Sequence, residues 1–297
     1  MKQRKSDILW KVVIEEVFDD MLRFIFPDAD ETYDMERGFE FLEKELSEMC
    51  PEPDKAADTR FADKLVKVFH RDGEEEWVLM HVEIQGDTSR RQEFSERMFR
   101  YFYRILDRYK RPVSAIAIFT GQDGKRMPCQ FTYAYRTTQL VYEYHTLAIL
   151  EFTNEVLDRS TNPFAQVALA AKTALLEGKI PEQELLERKV LIARRLLRKG
   201  FQLKKTRAIM KFLKNYVLFD DPEMNRNFIE RVNSQDKNNT MGIDEYCRME
   251  GREEVQEEVI KNLLRESDFS VEKIASLVNT TVEFVNEVIE DMKAKAK

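Results

Sequence analysis

Two acidic residues in neighbouring strand-like runs are the part of this sequence best suited to chemistry. In EWVLMHVEIQ, alternation puts Trp77, Leu79, His81, Glu83 and Gln85 on one face and Val78, Met80, Val82 and Ile84 on the other. The second set is wholly apolar and reads as the core face, so Glu83 and Gln85 share the opposite side near the strand's end. The run FADKLVKVFH precedes it, joined through RDGEE. A tight turn centred on Asp72-Gly73 pairs residues whose numbers sum to about 145 or 146, depending on loop length. Asp63 then lies beside Glu83, with Cβ atoms about 5 Å apart. Two such carboxylates repel unless a cation or a shared proton relieves them. Mg²⁺ (or Mn²⁺), a hard cation that takes oxygen ligands, supplies that relief. The same spacing also fits two strand-end polar residues that simply face water.

The elements that must position this pair are legible on either side. Ile8, Val12, Phe18, Leu22 and Phe26 keep a helical rhythm that ends at Pro27, which predicts one amphipathic helix over 7–26. A second helical piece is expected at 38–49, closed by Pro51 and Pro53. After the two strands, Phe94, Met98, Tyr101, Phe102 and Ile105 alternate at helical spacing with Arg97, Arg100, Arg104, Arg108 and Arg111, a helix aromatic on one side and basic on the other. Pro112 stops it, and VSAIAIF (113–119) has the short, continuous apolar composition of a buried strand. Strand, strand, helix, strand is an α/β order. Shorter β-like runs follow at 131–135, 140–144 and 147–152. From Pro163 the sequence is helical almost throughout, and Asn233–Gly242 is the most polar linker candidate.

Composition sets the outer limits. The 297 residues are 43% hydrophobic and 35% charged with only 9 Gly and 8 Pro, which suits a globular chain rather than a loop-rich all-β one. Cys50, Cys129 and Cys247 are isolated and support neither a disulfide framework nor a CxxC metal site, so a cytoplasmic setting is expected. No run of about 18 uncharged apolar residues occurs, and no membrane span is expected. The net charge of −7 argues against a wholesale nucleic-acid coat. Charge is nevertheless sorted: 188–214 holds eleven Lys/Arg and no Asp/Glu, whereas 244–297 holds fourteen acidic and eight basic residues. The basic run is read as a solvated helical face. Val255, Val259 and Leu263 form a thin apolar stripe, and SVEKIASLVNTTVEFVNEVIEDM has helix-turn-helix form, with Ser270 as one cap and Thr280 or Thr281 as the next. Its second helix carries Glu283, Glu287, Glu290 and Asp291, which suits packing or partner binding rather than a DNA groove.

The strings FADKLVKV, HVEIQG, RMFRYFYRIL and PVSAIAIFTG, in that order within residues 7 to about 125, resemble the recombination-promoting nuclease and transposase-like family, a branch of the PD-(D/E)XK nuclease superfamily. Looser likeness continues in NPFAQVALAA and MEGREEVQEEVI. The resemblance implies a restriction-endonuclease-like core, a mixed sheet flanked by helices, over 1–155. A helical region with the basic run over 156–235 and a charged helical tail over 236–297 follow. It implies a Mg²⁺-dependent DNA endonuclease in which Asp63 and Glu83 hold the metal and Gln85 positions the attacking water. Gln85 stands where the superfamily usually has Lys, the usual variant in this branch; it offers an amide dipole in place of a positive charge. RMFRY resembles the Q-x-x-x-Y element of the helix after the catalytic strands, with Arg97 in place of Gln, so Arg97 and Tyr101 are the expected phosphate contacts. The superfamily's first-helix acid is open among Glu16, Asp19 and Asp20. Pro53-Asp54, a literal PD dipeptide, lies in a loop ahead of the strand and is set aside. The competing expectation is a nuclease fold with weak or no catalysis that serves as a nucleic-acid-binding or protein-interaction module. So thin a stripe as that of Val255, Val259 and Leu263 needs another helix to cover it, either in a second copy of the chain, giving a homo-oligomer through the C-terminal helices, or in the small helical pair from Ser270 to Met292.

Overall fold

The computed structural model describes residues 2–42, 46, 60–84, 91–233, 256, 259–265 and 269–295, with backbone alone for 2–5, 60–63, 80–84, 91 and several positions of the last helix. The chain forms two compact units, 1–228 and 229–297. The first is a mixed α/β unit built on a five-stranded sheet, and the expected 155/156 boundary falls inside it. The expected 235/236 boundary lies outside the described residues.

The sheet runs β1 (Glu40–Phe41), β2 (Arg60–Phe69), β3 (Glu75–Ile84), β4 (Val113–Phe119) and β7 (His145–Ala148), in that spatial order. The first three are antiparallel neighbours, and β3, β4 and β7 run parallel. Helix α3 (Arg91–Tyr109) makes the crossover from β3 to β4, as a parallel connection requires. A separate two-stranded hairpin, β5 (Gln130–Tyr135) and β6 (Thr138–Glu143), lies between β4 and β7 in sequence. Glu40 and Phe41, expected in a helix over 38–49, instead pair with Lys67 and Val66 at the sheet edge.

Both faces of the sheet are buried, which corrects the one-sided reading of β3. Val66, Val68, Val78, Ile116 and Ile118 are fully buried on one face. Leu65, Trp77, Leu79, Ala117 and Phe119 are buried on the other, packed with Phe94, Met98, Tyr101 and Ile105 of α3. Leaving Trp77 or Leu79 in water would forgo about 1.5–3 kcal/mol each, so α3 covers them.

The first face is covered by helices from both ends of the unit. The expected single helix over 7–26 is two, α1 (Lys2–Glu16) and α2 (Phe18–Ile25), because Val17 leaves helical geometry at φ −124°. Five later helices follow: α4 (Asn154–Arg159), α5 (Pro163–Ala174), α6 (Glu182–Arg198), α7 (Leu203–Tyr216) and α8 (Pro222–Asn233). Helix α5 is apolar around nearly its whole circumference and is buried accordingly. Asn162 caps it, accepting from the Phe164 N–H at 2.8 Å while its own amide donates to the Asp20 carbonyl at 2.8 Å, and Pro163 supplies the first helical residue. Trp10 of α1 meets Phe212 and Tyr216 of α7 edge-on.

The basic run over 188–214 is not one solvated face. Lys204 pairs with Glu16 at 3.2 Å, and Lys205 with Asp19 and Asp20 at 2.8 and 2.6 Å. Arg195 pairs with Asp158, and Lys199 donates to the Asp158 and Ser160 carbonyls. Much of this positive charge fastens α6 and α7 to acidic residues of the same unit.

In the second unit α9 (Val271–Val278) and α10 (Val282–Lys295) form the expected helix-turn-helix. Ser270 caps α9, Asn279 turns the chain at φ +54°, and the Thr281 hydroxyl, rather than Thr280, accepts from the Phe284 N–H. Its core is Ile260, Ile274, Ala275, Val285 and Val288. Leu263 of the expected stripe packs against it, Val259 is 41% exposed, and Val255 lies outside the described residues.

Candidate functional site

The turn between β2 and β3 decides where the two acidic residues meet. His70 N–H donates to Glu74 O at 2.9 Å, so the loop contains three residues, Arg71, Asp72 and Gly73, rather than two. Gly73 takes φ +89° and the Asp72 carboxylate accepts from the Glu74 N–H at 3.0 Å, the usual way of closing such a loop. The register moves accordingly. Asp63 lies opposite His81 and Glu83 opposite Phe61, which corrects the expected Asp63–Glu83 pairing. The two acids are diagonal neighbours in the same alternating set of positions, a relation with a backbone separation of about 7–8 Å in place of about 5 Å.

Their place in the sheet is defined by the third strand. Glu83 aligns with Phe119, so both residues sit at the carboxyl ends of the parallel pair β3 and β4, where open α/β sheets form ligand crevices. Gln85 lies outside the described residues, as do Pro53 and Asp54.

Helix α3 returns antiparallel to β3 and β4, and its N-terminal half reaches this same end. The Phe94 ring stands 5.2 Å from Phe119, the neighbour of Glu83, whereas Tyr109 stacks at 3.9 Å on Trp77 at the far end. Arg97 follows Phe94 by one turn, half-buried, with its guanidinium 5.5 Å from the Phe94 ring centre. Burial pushes the Tyr144 phenol pKa up, with Tyr142 and Cys129 adding to the rise and the Arg97 charge opposing it. Tyr101 shares the Arg97 side of the helix only in part: it is 6% exposed, within the cluster that holds Leu65, Leu79 and Met98. A phosphate contact from Tyr101 would require opening that cluster, so of the RMFRY pair Arg97 is the accessible member.

The acidic residues of the first helices serve another purpose. Glu15 pairs with Lys64, whose side chain is fully buried on the face of β2 opposite to the Asp63 set. Burial raises the Asp19 pKa, but hydrogen bonds from Lys205 and Arg23 more than offset it and hold the carboxyl below its ordinary value. Asp20 goes the other way, raised by burial and by Asp19 despite its hydrogen bond from Lys205. Glu16, Asp19 and Asp20 are thus occupied in fastening α7.

Residue-by-residue reading missed a buried polar group at the opposite end of the sheet. The Glu76 carboxylate, 7% exposed, meets His70 Nε2 at 2.8 Å and accepts from the Tyr33 hydroxyl at 3.3 Å and from Ser114. Glu76 stands between the histidine and the serine, so the His70 imidazole does not face the Ser114 hydroxyl, and the arrangement joins elements of the fold. Its partners lie 6 to 43 residues away in sequence, too scattered for a motif. Burial lowers the pKa of His145, which packs against Phe26 at 5.3 Å.

Among the described residues no group of three or more His, Cys, Asp or Glu is arranged to hold a metal ion, and no helix is long and apolar enough to cross a membrane. No protein-family model, no curated protein and no solved structure matches the chain.

Proposed function

We propose that the chain is a Mg²⁺-dependent (or Mn²⁺-dependent) DNA endonuclease with a PD-(D/E)XK-like core, as the resemblance of its strand and helix strings implies. The observation that carries this reading is the β2–β3 register, with Asp63 and Glu83 as same-set diagonal neighbours at the carboxyl end of the parallel strands. Two carboxylate arms span a diagonal of about 7–8 Å to one shared cation, and oxygen ligands suit a hard ion. The five-stranded mixed sheet with helices on both faces is compatible with such a core.

In this reading Asp63 and Glu83 are the metal ligands and Gln85 orients the attacking water. Arg97, one turn from Phe94 at the same end of the sheet, contacts a DNA phosphate, and Tyr101 supports it from the helix core. When bound, the metal lowers the pKa of its water and stabilises charge on the phosphate. No side-chain nucleophile is required.

One observation favours a second reading, a nuclease fold used for binding alone. Much of the basic run is paired within the chain, which reduces the phosphate footprint that efficient DNA cutting draws on. Plasmid cleavage separates the two. The wild type is expected to nick DNA with Mg²⁺ and not with EDTA, and Asp63→Ala or Glu83→Ala to lose at least about 100-fold in rate. Cleavage that survives EDTA, or that Glu83→Ala leaves unchanged, would refute the metal centre. Metal-independent binding without cleavage would favour the second reading.

A further inference from the structure

Helices α4, α5 and α6, with Gln122 and Leu150 from the segments that follow β4 and β7, line a half-open cavity of about 590 Å³ within the first unit. That volume is in the range of small-molecule sites. Its apolar wall is entirely aliphatic: Leu150, Leu169, Leu175, Leu176, Leu191 and Ile192. No aromatic side chain lines it, so it lacks the platform on which a nucleobase or other flat ring would stack. Polar side chains gather around this wall with an excess of positive charge, because Arg159, Lys172, Lys179, Arg188 and Arg195 face only Glu155 and Asp158.

Several of these cations are already engaged. Arg195 pairs with Asp158, Arg188 with Glu184, and Lys172 donates to the Phe152 carbonyl. Arg159 and Lys179, both exposed, make no ion pair among the described residues. An aliphatic wall gains from burying methylene groups and gives a flat polar ligand nothing to bond. Arg159 lies one turn after Glu155, whose pKa its charge helps to lower, but the five cations around the wall still outnumber the two acids, and that excess gains from an anionic oxygen head group.

We propose that this cavity binds an anionic amphiphile, a saturated aliphatic chain ending in a carboxylate or a phosphate. The test of this site does not depend on cleavage. Titration calorimetry of the full chain with decanoate below its micellar range is expected to show saturable binding at one site per chain, with decyl phosphate as the second anionic arm. Decanol and decyltrimethylammonium are expected to bind at least about tenfold more weakly, since each loses the charged contacts. The double variant Arg159→Ala/Lys179→Ala is expected to weaken decanoate roughly tenfold. Leu191→Glu alters a side chain that is 47% exposed, so the fold is retained while the introduced carboxylate repels the ligand. Whichever anion binds more tightly identifies the head group. Equal affinity for decanol, decanoate binding unchanged in both variants, or no saturable binding by the full chain would overturn the proposal.

Discussion

Lys189 shows how far a charged residue can be carried into this protein. Its side chain is fully buried, and its Nζ donates to the Lys214 and Val217 carbonyls at 2.9 and 2.6 Å, closing the last turn of α7. The Phe219 and Phe228 rings lie 4.8 and 4.6 Å from the nitrogen. Burial pushes its pKa from 10.5 down to about 7, with Glu177 opposing the fall and Lys214 adding to it. The sign follows from proton counting. Below about pH 7 both folded and unfolded chains carry the proton, and the folded state bears the full cost of burying it. Between about 7 and 10.5 the unfolded chain holds a proton that the folded chain has released, so stability rises with pH. The neutral amine keeps two N–H donors for its two carbonyls. The unfolding free energy of the wild type, relative to Lys189→Met, is therefore expected to increase from pH 7 to pH 9 by on the order of 1 kcal/mol per unit. Urea titrations of both proteins at the two pH values check this, and a constant difference would show that the amine does not titrate there.

At the scale of elements, one turn sets the geometry of the candidate metal centre. The strands themselves, 60–69 and 75–84, lie within one residue of their expected ends, because β-branched and apolar runs bounded by Asp72-Gly73 leave little choice. The loop length was not legible, since RDGEE closes as either a two-residue or a three-residue turn and only hydrogen bonding selects one. That single residue converts a direct pair into a diagonal one. A Cβ added at Gly73 meets no atom within 4 Å, so Gly73→Ala isolates the cost of φ +89°. It is expected to destabilise the first unit by about 1 kcal/mol in chemical denaturation. A neutral substitution would mean that the turn relaxes, and the register with it. Helix α3 was readable in both extent and sidedness from Phe94, Met98, Tyr101 and Ile105. Which of its residues reach the strand ends was not, because that depends on the direction in which the helix returns across the sheet.

For the whole molecule, the two compact units suggest a division of labour that truncation can test. The second unit has its own small core, and the sequence from 244 onward carries fourteen acidic and eight basic residues, a balance that repels phosphates. We propose that it serves association between copies of the chain. A chain ending at residue 233, which retains all of α8, is expected to fold, to keep metal binding at Asp63 and Glu83, and to show a single-chain mass by light scattering. Loss of metal or DNA binding in that folded fragment would tie the tail to the site. The sequence by itself determined the α/β order, the central strands, the aromatic side of α3 and the cap at Ser270, because each follows from contacts within about a dozen residues. Only the tertiary structure decided the rest. It paired Lys204 and Lys205 with acids nearly 190 residues earlier, buried Lys189 against two carbonyls, gathered Glu76 with Tyr33 and Ser114, and covered both faces of β3. Alternation along a strand reports which residues share a face, but not what the remainder of the chain lays upon it.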